Sequence, residues 1–442
     1  MQETIAAIAT PFGEGAIALI RLSGPDAVEI AGRFFRARRP LAEAPPRTAQ
    51  WGRMVDATGA VVDEVLATVF PAPASYTGET MVEITGHGGI LVTRRLLGLL
   101  LEHGARLARG GEFTQRAFLN GKMDLTQAEA VMDLIRAQTD LALRAATEQL
   151  EGRLGERVRA IQDGLLDLLA HVEAFIDFPE EDIAPETGAA LLARLDAARD
   201  GVERLLRTAD QGRVLREGVR TVIYGEPNVG KSSLLNRLLG YERAIVSDRP
   251  GTTRDSIEEV INLRGIALRL VDTAGVRESQ DEIEREGIAR TLRHLERADL
   301  VLHLADASRP PPSPPPQPGH LLLLNKVDLG EAPGWSGREA VRLSCREGTG
   351  LDALADAIFA RVMGGGATAG DFAIAINARH LACLKSARET LEAARAGLEG
   401  GLSPEFVAVD LRAALDAVGD IVGRLDTEDL LGRIFSTFCL GK

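Results

Sequence analysis

Along the 442-residue chain, the spacing of apolar positions changes character three times. From Thr4 to about Arg116, short apolar runs at 5–9, 16–22, 65–70 and 81–85 read as strands. Helical stretches lie near 26–36 and 91–103, with Gly and Pro at the joins, so this part is expected to be a compact α+β unit. From Thr126, Ala, Leu, Glu and Arg recur at helical spacing through Leu150, and again over 158–175 and 189–206, which predicts long amphipathic helices. The texture stops at Gly218 and resumes near Ala378, continuing to Phe438. Between them, β-rich runs at 220–224, 267–271, 300–305 and 321–324 alternate with helices, the pattern of a doubly wound parallel sheet. The reading is multidomain α/β: an α/β unit inserted into a helical one whose two halves pack together across the insertion. Residues 309–319 form a proline tract, read as a stiff surface connection.

Composition narrows the class. A hydrophobic fraction of 45% with 26% charged residues excludes wholesale disorder. No apolar run approaches the roughly 18–20 residues of a membrane helix, and residues 1–8 lack the basic start and apolar stretch of a signal peptide. Cys345, Cys383 and Cys439 are too scattered for a disulfide framework or a Cys-rich metal site, so a reducing, cytoplasmic setting without membrane attachment is expected. The net charge of −13 argues against nucleic-acid binding by broad phosphate neutralisation and leaves only local basic patches, of which Arg33, Arg36, Arg38 and Arg39 form one candidate.

Scarcity is informative as well. The only lysines are Lys122, Lys231, Lys326, Lys385 and Lys442, and the only asparagines Asn120, Asn228, Asn236, Asn262, Asn325 and Asn377. Where arginine serves for nearly every positive charge, a lysine marks a place that needs a compact point charge.

Residues 225–232 read Gly-Glu-Pro-Asn-Val-Gly-Lys-Ser, directly after a predicted strand and before an apolar helix opening at Ser233. This is the phosphate-cradling loop in its required context: backbone N–H groups of Asn228, Val229 and Gly230 wrap phosphates, Lys231 reaches the β- and γ-phosphates, and Ser232 binds Mg²⁺. Asp272-Thr273-Ala274-Gly275 follows the next predicted strand, with a carboxylate for the Mg²⁺ shell and a glycine N–H for the γ-phosphate. Asn325-Lys326-Val327-Asp328 follows another, and its carboxylate can accept from the N1–H and amine of guanine. Ser344-Cys345-Arg346 offers backbone to the guanine carbonyl. Thr252 and Thr253 are placed to sense Mg²⁺ and the γ-phosphate. Four such segments in order predict GTP binding. The position after Gly275, where Ras-like proteins carry a water-orienting Gln, is Val276, so another residue must serve hydrolysis; the acidic stretch Asp281-Glu282-Ile283-Glu284 offers candidates.

Outside the nucleotide motifs stand Tyr76-Thr77-Gly78-Glu79, Gly86-His87-Gly88-Gly89, Gly111-Glu112-Phe113, Arg116-Ala117-Phe118-Leu119-Asn120, Asp177-Phe178-Pro179 and a terminal Phe438-Cys439-Leu440-Gly441-Lys442. With these the whole chain resembles the bacterial tRNA-modification GTPases called MnmE or TrmE. The resemblance implies an N-terminal tetrahydrofolate-binding and dimerisation domain (1–118), a helical domain in two halves (119–217 and 367–442) and an inserted Ras-like GTPase domain (218–366). It implies addition of a carboxymethylaminomethyl or aminomethyl group to carbon 5 of the wobble uridine of certain tRNAs. The expected partners are an FAD-dependent protein of the glucose-inhibited division protein A family, tRNA and a second copy of the chain. It also implies that Glu284 acts on the attacking water. A potassium ion would stand in for an arginine finger, held by Asn228 and by the loop Ser247-Asp248-Arg249-Pro250-Gly251-Thr252, with Ser247, Arg249 and Thr252 as its loop ligands, when two GTPase domains meet. Arg249 and Arg254 keep a true arginine finger open as an alternative.

For folate, the resemblance implies Arg21, Glu83, Lys122 and Lys442, although Arg21 and Glu83 could equally be a strand-edge ion pair. Cys439 is either a nucleophile toward the uracil ring or an inert buried thiol. His87 is expected to be structural, in a turn between strand and helix. Read from the GTPase motifs alone, a ribosome-assembly RNA-binding GTPase is the competing class.

Overall fold

The computed structural model describes residues 3–177, 188–241, 259–271, 295–312, 319–364, 375–423, and then 431, 434–435, 438–439 and 441–442. The chain folds as two compact units, one of Met1–Met132 with Val422–Lys442, the other of Asp133–Ile421.

In the first unit, β1 (Ile5–Ile8), β2 (Gly15–Ser23), β3 (Phe35–Ala37), β4 (Gln50–Val55), β5 (Val61–Phe70), β6 (Met81–Gly88) and β7 (Arg106–Leu107) form one sheet of order β3-β4-β5-β6-β2-β1-β7. All pairings are antiparallel except β1 with β7. Alternation decides the buried face. Ile20 and Leu22 of β2, Val82 and Ile84 of β6, and Val65 and Ala67 of β5 meet the apolar stripes of α1 (Ala27–Phe34) and α2 (Ile90–Glu102). The helix expected over 26–36 ends at Phe34, because Phe35 turns its ring into the core as the first residue of β3. The β3–β4 ribbon was not legible in the sequence, since three residues of β3 carry too little alternation.

α3 (Glu112–Leu119) and α4 (Leu125–Arg136) complete the unit's described helices. Its C-terminal residues lie against α3. The N–H groups of Gly111 and Phe113 reach the carbonyls of Cys439 and Lys442, and any side chain at Gly111 (φ 69°) would meet the Phe435 carbonyl at 2.8 Å.

The second unit opens with α5 (Asp140–Leu150), α6 (Arg153–Asp177), α7 (Gly188–Arg207) and α8 (Ala209–Glu217). On α6, Leu154, Val158, Ile161, Leu165, Leu168, Leu169 and Val172 recur every three or four residues and are all buried, the stripe that the sequence predicts. A six-stranded sheet follows, built from β8 (Val219–Tyr224), β9 (Glu259–Leu263), β10 (Ile266–Leu270), β11 (Leu300–Asp306), β12 (Leu321–Asn325) and β13 (Val341–Arg342) in the order β13-β12-β11-β8-β10-β9. The expected parallel sheet holds for five of these strands. It fails at β9, which runs antiparallel to β10 through the turn Arg264-Gly265. Both turn residues have positive φ (52° and 86°), the geometry that lets a two-residue hairpin match strand twist. All seven residues of β11 are buried, as befits a central parallel strand.

Described helices of this part are α9 (Lys231–Tyr241) and α10 (Leu351–Met363), and the chain then returns to the helical layer through α11 (Ala378–Glu399) and α12 (Pro404–Val422). α11 starts with a reciprocal cap: Asn377 accepts from the His380 N–H, and the Asn377 N–H donates to the His380 ring. The helical texture expected to run on to Phe438 closes its last long described helix at Val422. Among the described residues no helix is long and apolar enough to cross a membrane.

Candidate functional site

Two clusters gather the candidate residues. The first lies at the carboxyl ends of β8, β11 and β12, where order in an open α/β sheet reverses and ligands bind. The loop between β8 and α9 needs its glycines for close approach: a side chain at Gly225 (φ 157°) would strike the Leu304 carbonyl, and one at Gly230 (φ 104°) would strike the Asn325 amide. Asn228 also sits in the left-handed region, at φ 64°, which its short amide side chain tolerates. Lys231, first residue of α9, folds back so that its ammonium donates to the Gly225 and Glu226 carbonyls at 2.9 and 2.8 Å. Burial lowers its pKa. Ser232 and Ser233 follow in the first turn of α9, where a helix N-terminus favours anions.

Asn325 is the tie between loops. Its amide donates to the Val229 carbonyl at 2.8 Å, and its side-chain oxygen accepts the Cys345 N–H at 3.0 Å. Both bonds are buried, so each satisfies a group that would otherwise be costly. Asp328 accepts from the Ser344 hydroxyl at 2.6 Å, joining the same two loops again. Lys326, at φ 65°, has its ammonium 2.7 Å from Asp306. Burial raises the Asp306 carboxyl, but bonds from Lys326 and Ser308 more than offset this and hold it below its ordinary range. Burial pushes the Cys345 thiol up to about 11, against a smaller opposing effect of Arg237. That leaves Cys345 an inert packing residue whose backbone does the work.

Two residues here escaped the sequence reading. Arg237 of α9 donates to the carbonyls of Cys345 and Arg346 at 2.8 and 2.7 Å and so holds the last loop. Asp306 orients Lys326. A carboxylate ending a strand beside the nucleotide loop is a readable signal for Asp306; Arg237, one of the chain's many arginines, on the solvent side of α9, has none. Ser247, Asp248, Arg249, Pro250, Gly251, Thr252, Thr253, Asp272, Thr273, Ala274, Gly275 and Glu284 lie outside the described residues, as do Arg254, Val276 and residues 313–318 of the proline tract. No metal-holding cluster of His, Cys, Asp and Glu occurs among the described residues.

The second cluster lies in the first unit. Arg21 and Glu83 are register partners on β2 and β6, and Arg21 Nε donates to Glu83 Oε1 at 2.8 Å. They form the ion pair the sequence allowed, but on interior strands and not at an edge. Arg21 also reaches the Gly441 carbonyl at 3.4 Å. Two cations lie near the Tyr76 ring, the Arg21 guanidinium at 5.8 Å and the Lys442 ammonium at 6.0 Å from its centre. Burial, then the neighbouring Arg21 charge, lowers the Lys442 pKa. Arg21, Tyr76, Glu83 and Lys442, spread over the whole sequence, thus meet at one place. Lys122 is held apart by a bond to the Pro73 carbonyl at 3.1 Å, with its stem beside Gly78. Cys439, in the terminal segment, is half-buried and takes part in no disulfide.

Beside this cluster runs a buried polar network made of the motif residues. Glu112 accepts from Arg106 at 2.5 and 3.1 Å, from the Arg109 N–H at 2.9 Å and from Arg116 at 3.2 Å. Burial raises the Glu112 carboxyl, but these donors outweigh it and hold the pKa at about 2. Arg116 continues to Glu79 at 2.8 Å, which accepts from Ser23 at 2.7 Å, and Ser23 bonds Thr77 at 2.8 Å. His87 lies in β6 and not in the expected turn, its Nδ1 2.6 Å from the buried Asp63 and its ring 74% exposed. The bond to Asp63 raises its pKa.

Comparison with known proteins agrees over the full length. The MnmE helical domain family matches residues 125–439 and the GTP-binding protein TrmE N-terminus family residues 4–122. The tRNA modification GTPase MnmE of Akkermansia muciniphila is 54% identical over 448 residues, covering 100% of this chain and 99% of that protein. Those of Opitutus terrae and Aquifex aeolicus are 48% and 46% identical, each covering 100% of this chain and 99% and 100% of the relative. Among solved structures, the G domain of the T. maritima FeoB iron transporter is 26% identical over 33% of this chain and 96% of that one, with a TM-score of 0.23.

Proposed function

The chain belongs to the MnmE family of tRNA modification GTPases, and from that premise we propose that it couples GTP hydrolysis to building a carboxymethylaminomethyl or aminomethyl group on carbon 5 of the wobble uridine. It is a GTPase acting in tRNA modification. The observation that carries the nucleotide part is Asn325, which ties the phosphate loop to the loop of Ser344, Cys345 and Arg346 while Asp328 lies one bond away. That arrangement supports guanine selection, because a carboxylate beside a backbone donor matches the amide and amine edge that adenine lacks.

In this reading Ser232 and Thr253 hold Mg²⁺, and Glu284 acts on the attacking water. Asn228 is exposed, and its side-chain amide oxygen is the kind of ligand that a monovalent cation takes. Potassium there, with Ser247, Arg249 and Thr252, would supply the charge that an arginine finger supplies elsewhere, an effect of about 10³–10⁵ in rate. Replacing potassium by sodium is therefore expected to slow hydrolysis severely without a matching loss of GTP affinity, and Glu284→Ala to do the same.

The cluster of Arg21, Tyr76, Glu83 and Lys442 suits a tetrahydrofolate. Glu83 would accept from the pterin's amide and amine edge, Tyr76 would offer an aromatic surface, and Arg21 and Lys442 would meet the glutamate tail. Lys122, bonded to Pro73, would have to turn from that carbonyl to join them. Bound there, the folate supplies the one-carbon unit. The rest of the reading is a chain that pairs with a second copy through residues 1–118, works with an FAD-dependent partner of the glucose-inhibited division protein A family, and acts in the cytoplasm. Residues 119–217 and 367–442 form the helical domain, and 218–366 the GTPase domain.

The test is nucleoside mass spectrometry on tRNA from the source organism with and without the gene. Loss of 5-substituted wobble uridines on deletion, restored by the wild-type chain and not by Lys231→Ala, is the expected result. An unchanged nucleoside profile with no second copy of the gene would overturn the reading.

A further inference from the structure

A cleft of about 1060 Å³ opens in the second unit at the amino ends of β8 and β11, beside Arg269 near the carboxyl end of β10, on the side of the sheet away from the phosphate loop. Its floor is the start of β8, β10 and Asn262 of β9; its walls are residues 133–146 and the end of α8. In a chain of net charge −13 this cleft is lined by six arginines against four carboxylates. Two of the arginines are committed, Arg213 to Asp299 at 2.9 Å and Arg216 to Asp133 at 2.8 Å. Arg220, Arg269 and Arg297 make no ion pair with any described residue. Arg220 and Arg269 are register partners on adjacent parallel strands, so their side chains leave the same face of the sheet next to each other. The Nε of Arg269 is buried with no hydrogen-bond partner, a donor left to be satisfied from the cleft.

We propose that this cleft binds the phosphodiester backbone of tRNA, with Arg220, Arg269 and Arg297 as the phosphate contacts. The proposal rests on the reading that tRNA is the substrate. Planar forks side by side match phosphate oxygens in pairs, which neither the scattered surface arginines nor lysines do. No aromatic residue lines the cleft among the described residues, so it offers no stacking platform for a free nucleotide's base or for single-stranded bases. Backbone contacts of this kind position an RNA without reading its sequence. An acidic total charge then ceases to be an obstacle to RNA binding, because attraction is confined to one groove.

The test uses the full-length chain and fluorescently labelled, unmodified tRNA, with anisotropy titrations over a series of KCl concentrations. Arg220→Glu with Arg297→Glu is expected to weaken binding at least tenfold and to lower the salt slope by about 2, since each lost phosphate contact removes about 0.9. Arg220→Lys with Arg297→Lys should keep the slope while weakening affinity less. Arg412→Glu, a reversal on an exposed helix at an ion pair with Glu173, should change affinity less than twofold. GTP affinity measured on the same preparations should stay at the wild-type value and shows that the sheet is folded. Wild-type affinity and slope in the double reversal would overturn the cleft while leaving the tRNA-modification reading intact. So would a loss for Arg412→Glu as large as for the double variant, or binding that only an acidic protein, and not tRNA, can contest. A wild-type chain that binds no tRNA at any salt would overturn both.

Discussion

The nucleotide cluster and the Arg21 cluster are built in opposite ways. The first is assembled from short segments, each following its own strand, so the chain writes its ligand groups next to the turns that aim them. The second draws on Arg21, Tyr76, Glu83 and Lys442, brought together only because β2 pairs β6 and the terminal residues lie against α3. One is made by local backbone geometry and the other by long-range register. The difference is in what breaks them: the first should fail through single loop ties, the second through loss of packing that holds distant segments together.

The largest effect is expected at Asn325. Asn325→Ala leaves the Val229 carbonyl and the Cys345 N–H buried without partners, and two unmet groups at about 1–3 kcal/mol each predict a loss of GTP affinity of about 100-fold or more. Equilibrium binding of a fluorescent GTP analogue would check it; a loss under fivefold would mean that the loops are held by other contacts.

Next comes Glu112, on which the scaffold of the second cluster turns. Its folded pKa is about 2 against an ordinary 4.5, which corresponds to about 3 kcal/mol of stability. Because the folded value is depressed, this contribution is complete above about pH 4.5 and is lost as pH falls toward 2. Glu112→Gln should destabilise the first unit by a comparable amount at pH 7 and flatten its acid transition. Urea unfolding followed with a probe in that unit, at pH 7 and pH 3, measures both.

A smaller loss is expected for Arg21→Ala, about tenfold in tetrahydrofolate affinity with GTP affinity unchanged, since Tyr76 and Lys442 remain. The smallest effect separates two thiols. With Cys345 buried and its pKa near 11, iodoacetamide at pH 8 should label the half-buried Cys439 well before Cys345. Peptide mapping by mass spectrometry reads the order; equal labelling would mean that the loop carrying Cys345 opens readily.

The same contrast explains how much was legible in the sequence. Gly225, Gly230, Lys231 and Asn325 could be read because their chemistry and their local conformation share one short segment. Scarcity helped: Asn120 holds the Thr77 carbonyl, Asn262 the Gly265 turn and Asn377 the start of α11, each a job that needs an amide's donor or acceptor at short reach. The β3–β4 ribbon, the antiparallel β9 and the role of Arg237 were not readable, because each depends on what tertiary packing puts opposite it. Motif residues such as Glu79, Glu112 and Arg116 were visible as a family signature, but their part in a buried charge network appears only in the fold. His87 lies in β6 and not in a turn for the same reason: its partner Asp63, 24 residues away, is on the paired strand β5.

In the proposed reading one chain carries two separate ligand sites, and calorimetric titration of the full-length protein can distinguish them. GTP (as a non-hydrolysable analogue) and 5-formyltetrahydrofolate would each be titrated into the wild type, Asn325→Ala and Arg21→Ala. Asn325→Ala is expected to lose the nucleotide and keep the folate, while Arg21→Ala is expected to lose folate affinity and keep the nucleotide. A wild type that binds no folate, or a variant in either cluster that removes both ligands from a folded chain, would contradict it.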